Sequence, residues 1–420
     1  MSKVTFQWLL SLLLFLLPAQ IGKHFWPDAS RVLGMRIDYL APTIYLTDII
    51  LGVLFVLWFA KKPFPLRRIK GNIKWLLLAV LLIFNILQSA RPLTALIKAV
   101  TIVKLILLAG FVKDIKPNIR QVNIALIGAG IFSALLAWAQ FFNQGSIGGI
   151  FWWIGERTFS PSTPGIAMVA VNGAYWLRPY ATFPHPNVLA GFLVALTPLL
   201  LLPMKRPFLR ITVLSFTALA FFMATLVILF SRSAWIIFLA LFIICIFIRL
   251  RRDRGISVRS AIKRHGFLIV LLAGFLIIVQ PLVRERFVTL TTTDRETVSR
   301  RVILNAAALA MVRQHPITGV GLGQFLSELP NHYRVRTLLD LQPAHNIYLL
   351  LAAETGLIGV ASAAWFFIVL VRRFRQNHSI QKTTFFLSLS ALMVLGLVDH
   401  YPYTIHQIQL FIAVLVGLLL

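Results

Sequence analysis

The feature that most constrains this chain is a recurring run of about 20 apolar residues, closed each time by a charge cluster or a polar, proline-bearing stretch. Twelve such runs are read, near residues 4–22, 44–60, 74–90, 93–112, 121–142, 187–203, 211–230, 233–249, 266–283, 346–371, 383–398 and 403–420. Hydrophobic residues make up 59% of the 420 and charged residues 13%, against about 45–50% and about 25% in a soluble domain. The same arithmetic excludes a disordered chain, a coiled coil and a nucleic-acid-binding domain, each of which needs far more polar residues. The expected fold class is all-α: a polytopic membrane helical bundle of about 12 transmembrane helices, forming one integral-membrane domain over residues 1–420.

A net charge of +28 is first a reason to think of nucleic acid, but its distribution argues otherwise. With Met1 on the cytoplasmic side, alternate loops are basic, as the positive-inside rule requires. They hold Lys61, Lys62, Arg67, Arg68, Lys70 and Lys74; Lys113, Lys116 and Arg120; Lys205, Arg206 and Arg210; Arg249, Arg251, Arg252, Arg254, Arg259, Lys263 and Arg264; and Arg372, Arg373, Arg375 and Lys382. Only Asp114 and Asp253 are acidic on that side, while Asp28, Asp38, Glu156, Asp340 and Asp399 are among the acids opposite. Both termini are therefore expected inside. A cleaved signal peptide is the competing reading of the first run, and Pro18-Ala19-Gln20 makes a weak cleavage site. Cys245 stands alone in an apolar run and forms no internal disulfide.

Two external stretches are long, residues 143–186 and 284–345, and structureless loops of that length are uncommon unless they are functional. The second contains Val298–Arg313, expected as an amphipathic helix presenting Val302, Ile303, Ala306, Leu309, Ala310 and Met311, lying on or dipping into the outer face and stopped by Pro316 and Gly319.

His345 follows Pro343 and precedes the tenth run, which puts it at a helix N-terminus. The partial positive charge there disfavours imidazolium and keeps a neutral base available; the plain alternative is a polar cap. Arg232 lies in a tight turn between the seventh and eighth runs, and Arg300 and Arg301 open the loop helix. Guanidinium binds phosphate bidentately and stays charged, whereas a single arginine often only snorkels to headgroups. One histidine and three arginines on one side suggest a reaction with a phosphate leaving group. The stretch from Arg178 through His185 to Asn187 is polar and proline-stiffened, either a rigid turn or a lining for substrate.

Other patterns are weaker. Asp294 and Glu296 form the one external acid pair suited to a metal, with Arg295 between them. Gly319-Val320-Gly321-Leu322-Gly323 lacks a phosphate-loop lysine and a preceding strand, so it is no nucleotide fingerprint. Asp48 and Glu354 are acids in or near spans, and functional candidates for that reason; Glu354 has a plain reading as a helix residue held by a partner. Lys98 and Lys104, six apart in the fourth run, are read as snorkelling lysines, as contacts to lipid phosphate, or as part of a conduit.

Taken together, Arg301-Val302-Ile303-Leu304-Asn305, Gln314-His315-Pro316-Ile317-Thr318-Gly319-Val320-Gly321, Ala344-His345-Asn346-Ile347-Tyr348 and Glu354-Thr355-Gly356 resemble the O-antigen ligase and O-antigen polymerase superfamily. The stretch from Ala181 to Asn187, Ser231-Arg232-Ser233 and Asp399-His400-Tyr401-Pro402-Tyr403 fit it too, so the resemblance covers roughly 180–420. Asn305 stands where the family usually has Trp. The resemblance implies an external catalytic loop at 284–345 and a metal-independent, inverting glycosyltransferase needing no cofactor. Such an enzyme moves a glycan from undecaprenyl diphosphate to an acceptor hydroxyl, on a glycan or on lipid A-core, at the periplasmic face of the bacterial inner membrane. It implies His345 as general base, with Arg301 and Arg232 stabilising the departing diphosphate. Arg300, Arg178, His185, Asn187, Asn346 and Tyr348 are expected to bind substrate. Membrane lipids are the other expected partner, and nucleic acid is not one. A polymerase joining lipid-linked repeat units needs the same residues. A polysaccharide or lipid transporter predicts polar residues strung through mid-depth, a pattern that only Lys98 and Lys104 suggest.

Overall fold

The computed structural model of the chain describes residues 3–61, 73–202, 209–252, 258–288 and 292–420. The loop residues Lys62, Arg67, Arg68, Lys70, Lys205, Arg206, Asp253 and Arg254 lie outside the described residues, as do the side chains of Asp294 and Glu296. The chain is mostly helical, 72%. In order, the long helices are α1 (Lys3–Phe15), α2 (Leu46–Lys61), α3 (Ile73–Gln88), α4 (Pro92–Ile115), α5 (Ile119–Asn143), α6 (Pro186–Leu201) and α7 (Leu209–Leu229). They continue as α8 (Arg232–Arg252), α9 (Val258–Val288), α10 (Thr292–Gln314), α11 (Ile347–Gln376), α12 (Ile380–Leu395) and α13 (His406–Leu419). Every apolar run read as a span is occupied by one of these helices. Among the described residues, five stretches, within α4, α5, α8, α9 and α11, are long and apolar enough to cross a membrane by length and composition.

Local chemistry sets several starts. Pro92 and Pro186 occupy first-turn positions, where a missing N–H costs nothing. The side chains of Asn118, His185, Asn346 and Ser379 each accept a backbone N–H of the helix that follows. The first helix ends at Phe15, short of the expected residue 22. Pro18 disfavours helical backbone at Leu17 and supplies no N–H of its own.

The mostly helical chain also carries a little strand. Three two-stranded antiparallel hairpins occur among the described residues: Gly22–His24 with Thr43–Tyr45, Arg31–Val32 with Met35–Arg36, and Met168–Val171 with Ala174–Leu177. The last turns on Asn172-Gly173, both at positive φ (51° and 77°), the dipeptide that two-residue hairpin turns favour.

Helix α6 is the axis of the bundle. All of its residues are buried except Asn187, at the N-terminal end. A helix apolar all round belongs in the middle of its neighbours, and α5, α7, α8 and α12 pack around it. A second, separate core lies beyond that end. There Val32, Ile37 and Leu40 from the first hairpin segment pack with Leu304, Ala308 and Met311 of α10, with Phe325 and Leu326, and with Leu350 and Ala353 of α11. Helix α10 is longer than the expected 298–313, and its buried face is Leu304, Ala307, Ala308 and Met311 at helical spacing. Val302 and Leu309 of the expected face are exposed, so the tertiary partner rather than the richest apolar stripe decides which side is covered.

Helix α11 is broken at Gly356, whose φ of 60° and ψ of −161° are not helical. The backbone of the glycine-rich loop fills the break: Val320 N donates to Ala353 O (2.9 Å), Gly321 N to Glu354 O (3.0 Å) and Leu357 N to Pro316 O (2.8 Å). A Cβ at Gly356 would run into the Ile317 carbonyl, and backbone cannot move aside as a flexible side chain would. Gly356→Ala is expected to cost about 1–3 kcal/mol and to lower the thermal unfolding midpoint of the purified protein; an unchanged midpoint would contradict this account of the break.

Candidate functional site

The Arg178–Asn187 turn is held by buried polar groups. Gln140 of α5 accepts the N–H groups of Tyr180 (2.9 Å) and Ala181 (2.7 Å) through Oε1, and donates from Nε2 to Glu156 (2.7 Å) and Ala181 O (3.0 Å). The Thr182 hydroxyl donates to Pro18 O at 2.6 Å. This clamp, with Ala181 at a φ of 50°, fixes the entry into α6 and so the direction of three polar side chains. Arg178 donates from Nε to Leu229 O (2.8 Å), the last residue of α7, and from Nη2 to Asn187 Oδ1 (2.7 Å). Asn187 passes the contact on, donating from Nδ2 to Asp399 Oδ2 at 3.2 Å. His185 caps α6, its Nδ1 accepting from Asn187 N at 3.1 Å.

Asp399 is the centre of the arrangement. It follows α12 and is buried. Its Oδ1 accepts the His400 N–H at 2.8 Å. The His345 and His400 rings meet edge-on with centroids 5.1 Å apart. One ligand-capable atom from each of His345, Asp399 and His400 lies within 4.8 Å of the other two. His400 Nδ1 is paired with the Thr404 hydroxyl at 2.7 Å, and Tyr39 packs edge-on against His400 at 5.4 Å.

Electrostatics divide these groups clearly. Burial pushes His345 well below the ordinary imidazole value; the Asp399 carboxylate works against that shift, and His400, Arg301 and Arg300 add to it. Burial also lowers His400, and it takes His185 down to about 3 with help from Arg178. For Asp399 burial alone would raise the carboxyl; His400, His345, Arg301 and His185 outweigh it and hold the group below the usual carboxylate range. The permanent charges at neutral pH are thus the Asp399 carboxylate and the arginines, set among neutral imidazoles. Burial and the Asp399 carboxylate push the Tyr39 phenol up, so it remains a neutral donor.

Among the described residues, two buried nitrogens at this site have no hydrogen-bond partner, His345 Nδ1 and Arg301 Nε. Unpaired buried polar atoms are rare and call for an explanation; a ligand reaching both is one. Arg300 is differently placed, its Nε 3.6 Å from Asp340 Oδ1. Arg232 is the half-buried first residue of α8, separated from the end of α7 at Leu229 only by Phe230 and Ser231. Asn346 is a helix cap, its Oδ1 accepting from Tyr348 N (2.9 Å) and Leu349 N (3.1 Å). The exposed Tyr348 donates its hydroxyl to Met393 O at 3.0 Å.

Of the residues singled out in the sequence, His345, Arg301, His185, Asn187 and Arg178 thus gather around Asp399. Asn346 and Tyr348 are engaged in shaping α11, and Arg300 is tied to Asp340. Asp399, His400 and Tyr39 carry the arrangement but were not singled out as site residues; an acid–imidazole pair between two apolar runs was the available signal for the first two. Glu354 has the partner expected of it, accepting the Tyr403 hydroxyl at 2.8 Å, and Lys104 pairs with Asp48 at 2.7 Å.

The fold and site define a mostly helical, strongly apolar protein with a buried carboxylate–imidazole–guanidinium cluster at one end of its bundle. Residues 216–364, a little over a third of the chain, match the family described as O-antigen ligase. The match supports the superfamily that the motifs resemble and points, in general terms, to a glycosyltransferase-type enzyme. Arg232, Arg300, Arg301 and His345 lie inside the matched segment; Arg178, His185, Asn187 and Asp399 lie outside it. No curated protein matches the chain.

The burial of His345 has a direct readout. A group with a lowered value is neutral above it, so the 15N resonances of His345 in the full-length protein should stay those of a neutral imidazole as the pH falls through ~6.5, the ordinary midpoint. A midpoint at or above that value would contradict the account.

Proposed function

We propose that this chain is an integral-membrane glycosyltransferase that moves a glycan from undecaprenyl diphosphate to an acceptor hydroxyl, at the outer face of the bacterial inner membrane. The observation that carries the proposal is the pair of unpartnered buried nitrogens, His345 Nδ1 and Arg301 Nε, on the same Asp399-centred cluster, within a chain matched to the O-antigen ligase family. The twelve-span topology with both termini inside rests on the alternation of basic loops, and it puts this cluster outside. The domain scheme follows from it: one membrane domain over 1–420, with residues 284–345 as the external catalytic loop.

In the proposed reaction the acceptor hydroxyl gives its proton to neutral His345 as its oxygen attacks the anomeric carbon. The bond from that carbon to the diphosphate oxygen breaks, and its electron pair leaves with the diphosphate. Arg301 and Arg232 stabilise that growing charge. Arg300, paired with Asp340, holds the loop helix and adds positive potential. The Asp399 carboxylate orients the histidines and favours the imidazolium as it forms. Attack opposite the leaving group inverts the anomeric carbon. No second carboxylate is needed, because the diphosphate leaves readily, unlike the sugar oxygen in glycoside hydrolysis. His185, Asn187 and Arg178 line the approach and lock Asp399.

The acceptor distinguishes a ligase, which loads lipid A-core, from a polymerase, which extends another lipid-linked glycan. Transfer from one defined lipid-diphosphate glycan to a panel of acceptors separates them. His345→Ala and Arg301→Ala are each expected to lower transfer at least about a hundredfold while the protein still accumulates and unfolds at the wild-type temperature. Wild-type transfer by both purified variants would refute the site.

A second reading, a divalent cation on His345, Asp399 and His400, has the 4.8 Å grouping in its favour. Hydrogen bonds already present on both Asp399 oxygens and on His400 Nδ1 favour the metal-free network. Transfer should therefore survive EDTA; loss restored by a divalent ion would support the metal instead.

A further inference from the structure

A cavity of about 670 Å³ lies next to the histidine cluster, and Tyr39 and Thr404 form part of its wall. Both touch His400, Tyr39 through the edge-on ring contact and Thr404 through its hydroxyl. His345, Asp399 and Arg301 do not line the cavity, so it is a separate space sharing a wall with the site already described. One side is a face of α4, where Thr94, Lys98, Thr101 and Lys104 recur every three or four residues.

The two lysines are not equivalent. Lys104 is neutralised by Asp48 at 2.7 Å. Lys98 has no ion pair within 4 Å and no hydrogen bond among the described residues; Glu354 acts on it only through space, and that carboxylate already accepts the Tyr403 hydroxyl. Of the two acids at the cavity, Glu156 is committed to Gln140 and to the N–H groups of Ile147 and Gly148, and Asp38 is itself exposed to solvent. A cation within a helix of this apolar character is costly without an anionic partner. Other residues of the lining are aromatic. Trp152 and Trp153, mostly exposed, and Tyr39 offer flat rings on which the C–H faces of pyranose sugars pack.

We infer that this cavity binds an anionic saccharide, its rings against Trp152, Trp153 and Tyr39 and a carboxylate or phosphate on Lys98. The inference rests on the glycan-transfer reading and deepens it: the glycan handled beside His345 is acidic.

Equilibrium binding tests it without using transfer. The full-length protein in phosphatidylcholine nanodiscs is titrated with a glucuronate-bearing trisaccharide and with the same trisaccharide reduced at the carboxyl. The acidic form should bind about tenfold tighter, the worth of a charge-assisted contact. Lys98→Gln should erase that preference and Lys98→Arg should keep it. Trp152→Ala should weaken both sugars alike while leaving the preference. Adding phosphatidylglycerol to the nanodisc should not displace the sugar; displacement would assign Lys98 to a lipid headgroup and overturn the proposal. No binding of either sugar, equal affinities, or a preference that survives Lys98→Gln also overturns it. If Lys98→Gln does not fold, the result with Lys98→Arg and Trp152→Ala decides. His345→Ala separates the two readings: binding retained with transfer lost supports both, whereas binding and transfer both retained would sink the transfer site and leave the cavity assignment standing.

Discussion

A single buried carboxylate ties this structure together. Removing Asp399 from water is costly unless its charge is met by donors and cations. Here the partners come from far apart in the chain: the Asn187 amide at the start of α6, the His400 N–H next to it, and the field of Arg301 on α10. Asn187 in turn receives Arg178, and Arg178 binds the last carbonyl of α7, immediately before the turn into Arg232. One anion thus ties together the start of α6, the middle of α10 and the chain after α12, and through Arg178 the end of α7, with His345 delivered by the chain entering α11. The proposed chemistry needs this convergence, because a base and a phosphate-binding guanidinium are useful only when held on the same reacting bond.

Two apolar bodies hold that point rigid from opposite sides. Below it, α6 is buried along its length and cannot rotate without exposing a fully apolar surface. Above it, Val32, Ile37 and Leu40 close over α10 and the glycine-rich loop. That loop is no free crossing: its backbone completes the hydrogen bonds of α11 at the Gly356 break, and Leu322 N donates to Asn85 of α3 at 2.7 Å. Tyr39, carried by the hairpin segment over the second core, is the point where this cap touches the histidines.

Much of this was legible in the residues. The apolar runs foretold the helices because length and hydropathy are properties of each run alone. His345, Arg301, Asn187, His185 and Arg178 were recognisable because each combined a chemistry-bearing side chain with a helix start or a stiff turn. The rest depended on partners. The buried side of α10 is Leu304, Ala308 and Met311 because the hairpin segment and α11 lie there, and a periodicity count cannot see a neighbour. Asn172-Gly173 was a readable hairpin signal that the length of the apolar runs overshadowed. Asp399 and His400 looked like the end of one run and the beginning of the next; only tertiary structure sets them against His345. Lys98 and Lys104 looked alike in sequence, and what separates them is Asp48, on another helix.

The central claim is that the Asp399 carboxylate makes the histidine–arginine cluster chemically competent rather than merely holding the fold. Single-turnover transfer by Asp399→Asn, an almost isosteric change that removes the charge, measures this directly. The account predicts that the chemical step slows by about a hundredfold or more while donor affinity changes only a few-fold. A chemical step at the wild-type rate in a folded Asp399→Asn protein would contradict it.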